Sequence, residues 1–209
     1  VSPKLRSDEQ MERREWDMHC PKCDKPVESL PTDEEKPLFP TSIYAVTKRD
    51  HEEMFLSVGR SYKIPTTALR YFNVFGPNEK HKGRPASMIY HLAKQMKEGK
   101  NPRLFKWGEQ KRDHIYVKDC VYANKLALKA PSGIYNMGTG VATSFKELVD
   151  QLNKILETRL EPEYFDMPYD KKTYQADTKA DTKKAEKELG FKAQYTLEQG
   201  IKEYIPLIP

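Results

Sequence analysis

Hydrophobic positions in the first forty of the chain's 209 residues follow neither the two-residue nor the 3.6-residue period, and charges and prolines interrupt them throughout. This stretch reads as an insertion or loop. From residue 41 the pattern becomes regular. Thr41 or Ser42 stands where an N-cap accepts the open amides of a first turn. The segment Ile43 to Tyr62 predicts a helix that stops before Ile64-Pro65, because the residue before proline avoids helical backbone. Thr66 to Val74 is β-branched and aromatic, ends at Gly76-Pro77, and reads as one buried strand.

Met88, Leu92 and Met96 recur at i, i+4 and i+8 and predict a second helix over 86–98. Short strands are expected at Arg103 to Trp107 and Asp113 to Val117. A helix over 118–129 follows, with Asp119 near its start, where the helix dipole favours an acid. Gly133 to Gly138 reads as a strand entering a glycine turn. Ser144 and Glu147 have capping-box spacing for a helix to about Glu157. Pro162 to Phe165 reads as a strand, and helices are expected over 181–189, stopped by Gly190, and over 196–204. Helix followed by buried strand predicts an α/β sheet.

Composition narrows the class. Hydrophobic residues make up 37% and charged residues 32%, and no apolar run approaches the ~20 residues that cross a bilayer. Thirty-six Lys and Arg against 31 Asp and Glu give +5 and a pI near 8.9. This scattered excess suits a diphosphate-bearing ligand and does not require a nucleic-acid partner. The cysteines, Cys20, Cys23 and Cys120, do not look like a disulfide framework, and a reducing cytoplasm is the expected compartment. Cys20 and Cys23 form a CxxC turn, half of a structural zinc site, with a redox dithiol as the alternative; His19 is a weaker candidate ligand.

Tyr44 and Lys48 lie four residues apart and share a helical face. An ammonium beside a phenol favours the phenolate form, which is chemistry for taking a proton from an alcohol. Arg112 offers a fork for a diphosphate, with Asp113 to fix it. The polar loop 78–84 offers basic groups for phosphates or a second base. Gly138-Thr139-Gly140 lacks the third glycine and the acid ~20 residues on that a dinucleotide fingerprint needs, so it reads as a strand-ending turn.

Four segments occur in one order: Tyr44-x-x-x-Lys48, Arg70 to Pro77, Lys111 to Asp119, and Tyr135 to Gly140. Together they resemble the extended short-chain dehydrogenase/reductase family, specifically its sugar-nucleotide epimerases and dehydratases, over about residues 41–205. Within it, the pattern is closest to the nucleotide-heptose 6-epimerases. The resemblance implies the C-terminal part of a Rossmann-type parallel sheet domain (41–79) and a smaller α/β substrate domain (80–209), with about 113–130 returning to the Rossmann domain. It implies catalytic roles for Tyr44, Lys48 and Lys82. Tyr44, Lys48, Phe72 and Val74 would face NAD or NADP. Asn73, Arg84, His91, Phe105, Lys106, Trp107, Gly108, Arg112 and Tyr174 would contact a nucleotide-sugar substrate. Arg84 stands where the heptose enzymes carry a serine. The CxxC segment resembles an insertion found in some relatives.

The implied reaction is removal of a hydride, a transient carbonyl and return of the hydride to the opposite face. A homodimer or larger assembly is implied. The main cofactor loop is expected upstream of Val1, so the fragment alone is expected to be inactive. The alternatives are a 4-epimerase or 4,6-dehydratase that uses Tyr44 alone, and a zinc-stabilised binding module without catalysis.

Overall fold

The computed structural model describes residues 7–13, 15, 17–27, 29–166 and 175–209. A short helix α1 (Asp8–Glu12) precedes a hairpin of β1 (Met18–His19) and β2 (Pro26–Val27). The long helix α2 (Ile43–Tyr62) follows with the predicted bounds. Ser42 caps it, its side chain accepting from the Ala45 amide at 3.1 Å.

The expected strand over 66–74 is two strands. β3 (Thr67–Tyr71) and β4 (Asn73–Phe75) are separated at Phe72, whose amide donates to Met137. The chain then runs through α3 (Met88–Lys97), β5 (Arg103–Phe105), β6 (Lys111–Tyr116), α4 (Val117–Ala127), β7 (Gly133–Met137), β8 (Ala142–Ser144) and α5 (Phe145–Leu156). It closes with β9 (Glu163–Phe165), β10 (Asp177–Thr178), α6 (Lys183–Leu189) and α7 (Leu197–Tyr204). The break at Phe72 is a change of partner. β3 pairs in parallel with β7, whereas β4 pairs in parallel with β6. The other end of β6 pairs with β10 in parallel and with β8 antiparallel.

Side chains alternate across a strand, and β4 and β6 use this to serve two cores. Phe75 and Tyr116 join a cluster with Ile89, Leu92 and Met96 of α3, Leu148 and Leu152 of α5, and Ile201 and Tyr204 of α7. Ile115 joins a second cluster with Cys120 and Ala123 of α4, Tyr135 and Met137 of β7, Ala185 of α6 and Phe191, and Val74 packs against it. The capping box expected at Ser144 forms: its hydroxyl accepts from the Glu147 amide while Glu147 accepts from the Ser144 amide. Asp119 lies in the first turn of α4, as expected, and also binds outside its own helix. Burial raises its carboxyl pKa, and it accepts from the amides of Gln194 and Tyr195, which fastens the approach to α7 onto α4.

The end of the expected 1–40 loop is bound to the sheet. Glu34 is buried and accepts from the Asn136 amide, Asn136 donates back to the Thr32 carbonyl, and Thr32 bridges to Ala180. Among the described residues, no helix is long and apolar enough to cross a membrane.

Candidate active site

An open cavity of about 430 Å³ lies against the head of α2 and the strands β4 and β6; Tyr44, Asn73, Val74, Lys82, Arg112 and His114 are among the residues lining it. These side chains come from three elements and one loop, each fixed differently.

Tyr44 sits in the first turn of α2, 71% exposed. Lys48 follows one turn later, its ammonium 5.4 Å from the centre of the Tyr44 ring. The spacing does place them on one face, and the contact is a cation over the ring. Lys48 itself does not line the cavity.

The floor is built by register. Asn73 lies opposite His114, and its side-chain amide donates to the Asp113 carbonyl at 3.2 Å. Arg112 and His114, two residues apart, share a face of β6. The Arg112 guanidinium donates to the carbonyls of Lys111 (2.7 Å) and Ala176 (3.3 Å) and lies 5.9 Å from the Phe145 ring centre.

The expectation that Asp113 fixes this arginine does not hold. Alternation turns Asp113 to the other face, where its buried carboxylate accepts from Thr139 N (2.8 Å), Thr139 Oγ1 (2.7 Å), Gly140 N (2.9 Å) and Ala180 N (3.1 Å). Its work is to anchor the glycine turn. Gly138 is required there, because a Cβ would meet Asp113 Oδ2 at 2.7 Å and the Ala180 side chain at 2.6 Å.

The loop after β4 presents Lys82. Buried Glu79 accepts from Gly76 N (3.0 Å), Ser87 N (2.6 Å) and Ser87 Oγ (2.8 Å), joining the two ends of the loop. Lys80–Lys82 form one 3₁₀ turn, closed by Gly83 at φ 61°. Lys82 and Arg112 therefore bring two cations to the cavity, while three donors already occupy the Glu79 carboxylate; the balance suits an anionic ligand.

His114 is 4% exposed, and neither ring nitrogen has a hydrogen-bond partner. Burial, helped by the nearby Arg112 charge, lowers its pKa to about 4, so the ring is neutral at pH 7.

Other expected site residues lie elsewhere. His91 Nε2 pairs with the Arg84 carbonyl at 3.1 Å, and neither residue lines the cavity. Phe105–Gly108 form a turn beside α5. Lys106 pairs with Asp166 at 3.0 Å, and Trp107 lies 5.4 Å from the Tyr164 ring. Phe145, which lines the cavity, ties this turn to it: its amide donates to the Gln110 carbonyl, and its neighbour Lys146 donates to the Gly108 carbonyl. Phe72 stands at the strand break, away from the cavity, and Tyr174 lies outside the described residues. Cys20 and Cys23 occupy the β1–β2 hairpin.

Sequence reasoning missed Glu79, Ser87, His114 and Phe145 among the lining residues. For His114 a signal existed: it is two residues from Arg112 on an expected strand, hence on the same face. For Phe145 and Ser87 no local signal marks them as lining residues.

The family model described as "NAD dependent epimerase/dehydratase family" matches residues 21–138. The chain belongs to this family. It is 34% identical over 182 residues to ADP-L-glycero-D-manno-heptose-6-epimerase of Brachyspira hyodysenteriae, a match covering 84% of this chain and 57% of that protein. It is 38% identical over 176 residues to a putative UDP-glucose 4-epimerase of Methanocaldococcus jannaschii, covering 84% and 56%.

Among solved structures, the Helicobacter pylori ADP-L-glycero-D-manno-heptose-6-epimerase aligns with a TM-score of 0.76 at 35% identity, over 87% of this chain and 55% of that one. The Thermotoga maritima UDP-glucose 4-epimerase, solved with UDP-glucose, aligns at 0.80 and 31%, over 87% and 58%. These likenesses make the α/β fold that of the Rossmann-type epimerases. The chain spans little more than half the length of these relatives.

Proposed function

We propose that the full-length protein is an NAD(P)-dependent epimerase of a nucleotide-linked sugar. The observation that carries this reading is a single cavity lined by Tyr44 and Lys82 together with Asn73 and Arg112. NAD supports the same reading through solved relatives, among them a Bacillus cereus UDP-glucuronic acid 4-epimerase in complex with NAD. The residues present fit the nicotinamide end of such a cofactor: a phenol and an ammonium one turn apart at an open helix start, beside Val74. When bound, the cofactor supplies reversible hydride acceptance at the sugar carbon.

Arg112 and Asn73 bind the anionic nucleotide-sugar, with Arg112 on the diphosphate and Asn73 on a sugar hydroxyl. Tyr44, as the phenolate whose charge the Lys48 ammonium stabilises, takes the hydroxyl proton and becomes a neutral phenol as the carbon loses its hydride and a C=O forms. Lys82 delivers a proton to that oxygen when hydride returns to the opposite face. No net oxidation results, and two acid/base groups allow inversion at an exocyclic carbon.

The test is substitution in the full-length protein, with epimer ratios read by proton NMR. Tyr44→Phe and Lys82→Ala should each slow turnover of an ADP-heptose by roughly 10²- to 10⁴-fold. Near-normal turnover of Lys82→Ala would sink the two-base mechanism. It would favour the second reading, a UDP-sugar 4-epimerase in which Tyr44 alone serves both half-reactions, and the likeness to the two 4-epimerases supports that reading.

A further inference from the structure

Away from the cavity, two of the three cysteines, Cys20 and Cys23, stand at the tip of the β1–β2 hairpin. Its strands pair Met18 with Val27 and His19 with Pro26, and the chain reverses through Pro21–Cys23. Cys20 N donates to the Lys25 carbonyl and Asp24 N to the Cys20 carbonyl, each at 2.9 Å, and Asp24 takes the left-handed φ of 56° that completes the reversal. Cys20, half-exposed, and Cys23, exposed, thus stand on one turn, both with free thiols.

Two features of this hairpin call for a metal. Each strand is two residues long, and a lone two-stranded hairpin is marginal in water without a staple. Two thiolates on a CxxC turn can take two adjacent corners of a tetrahedral site at Zn–S distances of ~2.3 Å. The described residues do not complete the site: no third His, Cys, Asp or Glu joins the pair, and Cys120 is buried in the second core.

We propose that Cys20 and Cys23 are two ligands of a structural zinc ion whose remaining two ligands, thiolate or imidazole, reach the hairpin tip from outside it. Either a second copy of the hairpin or residues of a longer polypeptide can supply that chemistry.

Cobalt(II) and zinc titrations of the reduced 209-residue chain and of the full-length protein test this. Tetrahedral thiolate coordination gives a sulfur-to-cobalt charge-transfer band and visible d–d bands, both displaced by zinc. One ion per two chains, with dimers that a chelator dissociates, supports the proposal with ligands from a second copy. One ion per chain, in the full-length protein only, supports it with ligands from the longer polypeptide. Cys20→Ser and Cys23→Ser should abolish the charge-transfer band, and Cys120→Ser should leave it intact. The hairpin belongs to neither core, so the first two variants should keep the far-ultraviolet circular dichroism of the parent and remain testable. Absence of the band in both proteins overturns the proposal, as does its survival in either hairpin variant or a disulfide between Cys20 and Cys23 that forms in place of metal binding.

Discussion

Helix α2 and the strand pair β4–β6 reach the same cavity but hold their side chains by opposite means. Across the twenty residues of α2, Gly59 alone is buried; Tyr44, Met54, Phe55, Val58 and Tyr62 are all exposed. In β4–β6, by contrast, Phe75, Ile115 and Tyr116 are sealed between two cores, and Asp113 is gripped by four donors. The helix is held by its cap, by an Arg70–Glu52 ion pair at 2.6 Å and by the approach of Gly59 to Thr66. The assigned groups thus divide: Tyr44, assigned to proton transfer, rides on an element with little packing of its own, whereas Asn73 and Arg112, assigned to the substrate, stand on strands sealed between the two cores.

Substitutions can break that contrast. The largest effect is expected at Tyr44: Tyr44→Phe should cost the full-length protein about 10²- to 10⁴-fold in turnover and leave thermal melting unchanged, because its hydroxyl supports no packing. A fall in melting temperature would mean that the helix head is structural. Next, Leu148→Ala, in the fully buried α5 face, should lose about 2–5 kcal/mol in urea unfolding. A smaller loss would show the floor to be looser than its packing indicates.

Third comes His114. Its folded pKa of about 4 lies below the 6.5 of an unperturbed histidine, so in between the unfolded chain binds the proton that the folded chain refuses. Stability should therefore fall as pH drops from 6.5 towards 4, by about 3 kcal/mol in all, and level off below. His114→Phe should remove this component from the pH dependence of urea unfolding; an unchanged slope would show that the buried ring is not its source. The smallest effect belongs to α2: Phe55→Ser should shift stability by no more than about 0.5 kcal/mol, and a loss of 2 kcal/mol or more would mean that the exposed face is covered in solution.

The same contrast governs what sequence could disclose. Elements set by local chemistry were legible. Ser42, Ser144 with Glu147, and Gly190 mark real helix ends, and the spacing of Met88, Leu92 and Met96 marks the buried side of α3, with Leu92 and Met96 inside and Met88 packed against them. Tyr44, Asn73, Val74, Lys82 and Arg112 were named from motifs, and all line one cavity.

What depends on distant pairing was not legible. Nothing near Phe72 announces that the strand changes partner. The two residues of β10 are too short for a period, and Asp113 gave no hint of four donors located 26 to 67 residues away. Glu79 appeared as one charge among many in a polar loop, and only the fold reveals that it closes that loop on Ser87.

The break at Phe72 leaves the chain little tolerance for a change in length. β4 owes its register with β6 to a single residue between two pairings. Deleting one residue there would exchange the two faces of β4, sending Val74 towards the core built for Phe75 and turning Asn73 away from the cavity. Drift in this segment is therefore confined to substitution: a side chain can change there, but the count of residues between Tyr71 and Asn73 cannot.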